Sequence, residues 1–146
     1  MAGKPRNTKA LISLLKKYFS ARKDIAMSFI FGSAAAGRLR EDSDIDIGVY
    51  FRPKTGRIEI EEAGIKYETD SLWLDLERIA GREVDLIVLN RAPATIAESA
   101  ISGLPVLIKD RRLFIEFMLR TTAIAEDFRS FIEDYWALKN EMENRI

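Results

Sequence analysis

Apolar positions recur along this chain with two periods, and the two alternate. In residues 8–20, Leu11, Leu14, Leu15, Tyr18 and Phe19 fall at i, i+3, i+4, i+7 and i+8, which predicts an amphipathic helix with Lys16 and Lys17 on its polar side. Residues 25–31 form a short apolar run of β-forming types, bounded by Asp24 and by Gly32-Ser33, and predict a buried strand. The Ala-rich residues 33–39 predict a short helix with Ser33 near its N-terminus. Residues 44–51 alternate, with Ile45, Ile47 and Val49 on one face and Asp44, Asp46 and Gly48 on the other. Pro53 and Gly56 mark a turn at 52–56, and 58–67 has no clean period, so it reads as a strand edge or irregular chain.

Leu72, Trp73, Leu76 and Ile79 predict a second helix, capped by Asp70 or Ser71 and closed by Gly81. Residues 83–89 read as a third strand. Residues 93–102 suit a short helix with Pro93 near its first position and Gly103 at its C-cap, and 105–108 a fourth strand. From Arg111 onward Phe114, Phe117, Met118, Thr121, Ala125, Phe128, Ile132 and Tyr135 recur mostly at three and four residues, a long helix. Unbroken to Glu143 it would run about 50 Å, whereas a domain of this size is about 40 Å across. Phe128, Phe131, Tyr135 and Trp136 would then form a partner or dimer surface; the alternative is a helix broken near Thr121-Thr122 and folded back. No repeat, low-complexity tract or linker interrupts the chain. The organisation is one domain over 1–146, with a core of about 8–110 and a helical extension of about 111–146.

Composition narrows the chemistry. The 146 residues are 47% hydrophobic and 32% charged, the profile of a folded chain with one sizeable core. Lys+Arg and Asp+Glu both number 23, so the net charge is zero and non-specific binding to nucleic-acid phosphates is disfavoured. The basic N-terminal residues Lys4, Arg6, Lys9, Lys16, Lys17, Arg22 and Lys23 read as a solvated helix face, the alternative being contact with a nucleic acid or an acidic partner. No apolar run approaches the roughly 20 residues of a membrane span, and no signal-peptide core follows the polar N-terminus, so a cytoplasmic location is expected. Cysteine and histidine are both absent, which excludes disulfides, thiolate zinc sites, Ser-His-Asp triads and His-dependent ribonucleases. Chemistry here rests on carboxylates, Ser, Lys, Arg, Tyr and bound metal.

Three acids sit where a core face would prefer apolar residues. Asp44 and Asp46 point to one face of their strand, and Asp85 interrupts the apolar run Glu83-Val84-Asp85-Leu86-Ile87. If those strands are neighbours the carboxylates converge, each raising the others' pKa unless an oxygen-preferring divalent cation offsets them. Taken alone, Asp44 and Asp46 are equally well read as ordinary surface positions of an alternating strand. The Gly32-Ser33 turn between a strand and a helix start adds backbone N–H groups and a hydroxyl where a phosphate can sit.

Gly32-Ser33, ten residues, then Asp44-Ile45-Asp46 is the GS-x10-DxD pattern of the polymerase-β-like nucleotidyltransferase superfamily. The runs Phe31-Gly32-Ser33-Ala34-Ala35-Ala36-Gly37 and Asp42-Ser43-Asp44-Ile45-Asp46-Ile47 resemble the minimal nucleotidyltransferases (MNT), small proteins often paired with HEPN-domain toxins. The likeness runs from the first helix to about Asp110. It implies an α/β (α+β) fold, a mixed sheet of about four strands flanked by helices, and two-metal nucleotidyl transfer. Asp44 and Asp46 would ligate Mg²⁺, with Mn²⁺ as the alternative ion. Asp85 would ligate the second metal and help activate the acceptor hydroxyl. Gly32 and Ser33 would hold the triphosphate of ATP, with Arg38 and Arg40 in reach of it. Ala36 stands where relatives often carry a basic residue. The resemblance implies an antitoxin that transfers AMP to a hydroxyl on a HEPN toxin. The alternatives are a degenerate module that neutralises its partner by contact, and a small-molecule nucleotidyltransferase, for which little chain remains to form a substrate domain.

Overall fold

The computed structural model describes residues 3–40 and 42–145 of the chain. Among them the order is α1 (Thr8–Ala21), β1 (Ile25–Phe31), β2 (Ile45–Phe51), α2 (Asp70–Ala80), β3 (Val84–Val88), α3 (Ala94–Ile101), β4 (Leu104–Ile108) and α4 (Arg111–Asn144). The strands form one mixed sheet in the order β3-β2-β1-β4. β1 runs antiparallel to both β2 and β4, and β2 runs parallel to β3. No described helix is long and apolar enough to cross a membrane.

Both faces of the sheet are covered, which is why β1 reads as a continuous apolar run with every residue from Ile25 to Ile30 buried. Leu11, Leu15 and Phe19 of α1 and Leu72, Leu76 and Ala80 of α2 pack with Ile45, Ile47 and Val49 on one face. On the other, Ala97 and Ala100 of α3 and Phe117 of α4 pack with Ala26, Met27, Phe29 and Tyr50. The Phe117 ring meets Tyr50 edge-on at 4.8 Å. Gly48 faces this second layer, where an added Cβ would lie 3.2 Å from both Ala100 and Leu89, so its lack of a side chain lets α3 close on the sheet. Asn7 caps α1 by accepting from the Ala10 amide at 2.8 Å, and Asp110 caps α4 by accepting from Leu113 at 3.1 Å.

Several expectations from the sequence are corrected. Residues 33–39 form turns rather than a helix: the Ala36 amide donates to Gly32 and Ser33 and the Arg38 amide to Ser33, and Gly37 in the left-handed region at φ +79° ends the run after one turn. β2 begins at Ile45, leaving Asp44 in the preceding loop. α2 is preceded by Thr69, which makes no side-chain cap; Asp70 is already helical, and Gly81 closes the helix in the left-handed conformation. Pro93 is the N-cap of α3 with extended ψ, and Ser102 rather than Gly103 is its C-cap. α4 is a single helix of 34 residues; Thr121 faces the body and is fully buried, so Thr121-Thr122 is no break.

Candidate active site

The parallel register of β2 and β3 sets Asp46 directly beside Asp85, and the antiparallel register of β1 and β2 sets Phe31 beside Asp46. Side chains directly opposite in neighbouring strands share a face, so both carboxylates emerge on the α3/α4 side. They stand at the end of that face where the helical cover stops: Asp46 is half-buried and Asp85 exposed. Burial first, then the charge of Asp85, a hydrogen bond shared with it and the charge of Asp44 raise the Asp46 pKa above the ordinary aspartate value of 3.8. Asp46 therefore keeps its proton to higher pH than a free aspartate, with Asp85 beside it and Asp44 at the rim.

Gly32 is the reason the turn can come this close. Its φ is +71°, and a Cβ placed there would fall 2.2 Å from Asp46 Oδ2. Only glycine allows the end of β1 to pass over the carboxylate. Gly103 has the same function on the other side, since its Cβ would lie 2.3 Å from the Ile30 carbonyl oxygen. Ser33 is half-buried in the turn after Gly32, and its carbonyl accepts from Ala36 and Arg38.

Of the recesses beside the aspartates, two bear on the site. One, of about 390 Å³, is lined by Asp44, Trp73, Glu77, Glu83, Val84 and Asp85. Trp73 forms its wall; the indole N–H donates to the Val84 carbonyl at 2.8 Å while Glu77 accepts from the Val84 amide at 2.9 Å, latching α2 to the outer edge of β3. The other, of about 330 Å³, runs along Gly32, Ala35, Ala36, Ser99, Ser102 and Gly103.

Of the residues singled out in the sequence, Asp46, Asp85 and Gly32 come together, Asp44 joins at the rim, and Ser33 lies in the same turn. Arg38 and Arg40 do not close on the acids. Both are exposed, and among the described residues neither guanidinium enters an ion pair; the Arg40 carbonyl instead accepts from Arg82 Nε at 2.7 Å. Trp73 is 42% exposed and faces the acidic recess. Glu77, Glu83, Ser99 and Ser102 were not singled out as site residues, because on helices and strand ends such residues are ordinary surface positions. Only the fold carries them to the site.

The donor set is wholly oxygen. Among the described residues no three acids are gathered into a ready-made ion cage. Asp46 and Asp85 lie within hydrogen-bonding reach of each other, and Asp44 is close enough to add its charge. That arrangement fits a divalent cation, which would relieve the repulsion.

These features define the class: a mixed sheet with paired carboxylates on adjacent strands beneath a Gly-Ser turn. The family model described as "Polymerase beta, Nucleotidyltransferase" matches residues 14–112, and the chain belongs to that family. Among solved structures, it is similar to a mutant of the toxin-antitoxin MntA-HpeT, with 17% identity, TM-score 0.63, and coverage of 93% of this chain and 98% of that one. It is similar to a complex of a tri-AMPylated Shewanella oneidensis HEPN toxin with MNT antitoxin at 14% identity and TM-score 0.62, covering 92% and 98% of the two chains. A third is a toxin-antitoxin with AMP-PNP, at 19% identity and TM-score 0.61, covering 93% and 98%. At these identities the likeness is one of fold. No curated protein matches the chain.

Proposed function

We propose that this chain is an MNT-type antitoxin that transfers AMP from ATP to a hydroxyl on a HEPN toxin. The observation that carries the reading is the Asp46–Asp85 pair beneath Gly32: two acids in contact, one with a raised pKa, beside a turn with no side chain in the way. Perturbed acids gathered at a strand end are a recurrent mark of catalytic sites. Asp44, Asp46 and Asp85 would hold Mg²⁺ or Mn²⁺, which supplies charge neutralisation for the triphosphate and for the charge that develops during transfer.

The chain's own residues have definable tasks. Gly32 and Ser33 bind and orient the triphosphate through the turn. Asp85, the more exposed of the paired acids, faces solvent and receives the proton of the acceptor hydroxyl. The acceptor oxygen bonds to the α-phosphorus, the bond to the bridging oxygen breaks, and pyrophosphate leaves. The kinship of fold to an AMPylated toxin complex and to a toxin-antitoxin with AMP-PNP supports this choice of nucleotide and acceptor.

Ala36 and the disengaged Arg38 and Arg40 favour a second reading, a module that neutralises its partner by contact without transfer. Intact-mass spectrometry of a HEPN toxin co-expressed with this chain separates the two. Transfer leaves the toxin with added AMP mass and inactive after the chain is removed; unmodified mass with recovered activity refutes transfer.

A further inference from the structure

The last ionic tie between α4 and the body among the described residues is Arg129 with Glu98, at 2.6 Å. Beyond it 15 residues of helix remain, about 22 Å of rod at 1.5 Å per residue. Every one of them is exposed except the half-buried Ile132. This rod is not polar. Phe131, Tyr135, Leu138 and Met142, with Phe128 just before Arg129, stand between 51% and 66% exposed.

Their spacing is specific. Phe117, Thr121, Ile124, Phe128, Phe131, Tyr135, Leu138 and Met142 follow one another at intervals of four and three without a slip. That is the a/d seam of a coiled coil, with Thr121, Phe128, Tyr135 and Met142 at a and Phe117, Ile124, Phe131 and Leu138 at d. The inner end of the seam is already used, since Phe117, Thr121 and the adjoining Ala125 are buried against the body. The outer end continues the same stripe with nothing on it.

The flanks state what kind of helix fits. The positions at g are Asp127, Asp134 and Glu141, all acidic, while those at e are Ala125, Ile132 and Lys139. Residues 126–145 carry six acids against three bases. Two of those bases are engaged within the chain, Arg129 with Glu98 and Glu126 and Arg145 with Glu141, and Lys139 lies over the Trp136 ring.

A second copy fits poorly in either direction. In a parallel pair the mate's residues 117–125 would have to occupy the space on the seam side where this body already packs. An antiparallel pair brings g against g, setting Asp127, Asp134 and Glu141 against the same acids. Like charges along that edge act against such pairing.

We infer that the outer half of α4 is a docking seam for a helix of another protein, apolar at its own a and d positions and lined with Lys or Arg at its flanks. The surface lies on a different element from the Asp46–Asp85 pair, and the inference stands whether or not that site transfers a nucleotide.

The test uses the full chain and two labelled three-heptad peptides, both with Leu at a and d, one with Lys and the other with Glu at e and g. Like-charged flanks keep each peptide from pairing with itself. By fluorescence anisotropy at low salt the Lys peptide should bind at least about tenfold more tightly than the Glu peptide, the gap closing in 1 M salt. Phe131→Ser with Leu138→Ser, both exposed positions, should weaken the Lys peptide at least about tenfold and leave the thermal melt unchanged. Sedimentation of the chain alone should show a monomer. Equal binding of the two peptides, binding of neither, or a dimer that dissociates in the double variant would each overturn the proposal.

Discussion

Two carboxylates in this molecule are drawn away from water and end in opposite states. Glu59 is fully buried in the irregular segment after β2, and the chain closes around it with donors. Tyr67 donates its hydroxyl to Oε1, Asn90 Nδ2 donates to the same oxygen at 3.0 Å, and the Lys54 and Thr55 amides donate to Oε2 at 2.7 and 2.9 Å. Burial pulls the Glu59 pKa up, but those hydrogen bonds pull it down further, and it lies below the ordinary 4.5. Asp46 is less buried and has no such cage. Its neighbours are Asp85 and Asp44, and its pKa lies above the ordinary value. One acid is satisfied by the fold; the other is left for something the fold does not contain. An acid with every lone pair occupied is part of the architecture, and an acid facing other acids at a strand end is a site.

Removing the satisfied acid should have the largest effect. Glu59→Ala removes the acceptor of four hydrogen bonds, those of Tyr67 and Asn90 fully buried, and should cost about 3 kcal/mol or more, roughly a 10 °C fall in melting temperature for a chain of this size. A fall under about 2 °C would mean that the segment 52–67 can re-form its bonds without Glu59.

Next in size is Gly32→Ala. A methyl group 2.2 Å from Asp46 Oδ2, on a residue at φ +71°, should cost about 1–2 kcal/mol and displace the turn, with loss of ATP binding. Unchanged ATP affinity in this variant would detach the turn from the nucleotide.

Smaller, and opposite in sign, is Asp44→Asn with Asp46→Asn. Relief of like-charge repulsion should leave the metal-free melting temperature unchanged or higher while nucleotidyl transfer is lost. A clear drop in that temperature would make the pair structural, as Glu59 is.

The pH dependence of metal-free stability divides the same way. Glu59 titrates lower in the folded chain than in the unfolded one, so its contribution is present above about 4.5 and is lost as pH falls through its depressed value. Asp46 titrates higher when folded, so the folded state holds the extra proton. Its contribution is present below about 3.8 and is lost as pH rises through the raised value. Denaturant titrations across pH 3–7 should show a flattened acid limb in Glu59→Gln and a flattened decline above it in Asp46→Asn. Identical profiles for the two variants would erase the distinction.

Much of this was legible in the residues, and the reasons for the rest are physical. The limits of β1 were readable because an apolar β-forming run meets Asp24 on one side and Gly32 on the other. The Asp44-x-Asp46 and Gly32-Ser33 spacing pointed to the site, but the contact of Asp46 with Asp85 depended on β2 and β3 being neighbours in register, a long-range fact that no local period encodes. Residues 33–39 looked helical because Ala favours helix, yet glycines at 32 and 37, both at positive φ, restrict the run to one turn. Glu59 was missed because an acid in a segment without period reads as surface, and its donors Tyr67 and Asn90 lie 8 and 31 residues away. Continuity of α4 through Thr121-Thr122 was undecided in the sequence because β-branched residues are indifferent helix formers; burial of Thr121 against the body settles it.

The central claim is that the acid pair under Gly32 is a cation-bridged nucleotide site. Calorimetric titration of ATP into the full chain, in Mg²⁺ and again in EDTA, tests it most directly. Binding in Mg²⁺ that disappears in EDTA, and that disappears in both buffers for Asp46→Asn, is the expected result. Equal ATP affinity with and without the divalent ion would contradict it, because clustered carboxylates cannot hold a triphosphate unaided.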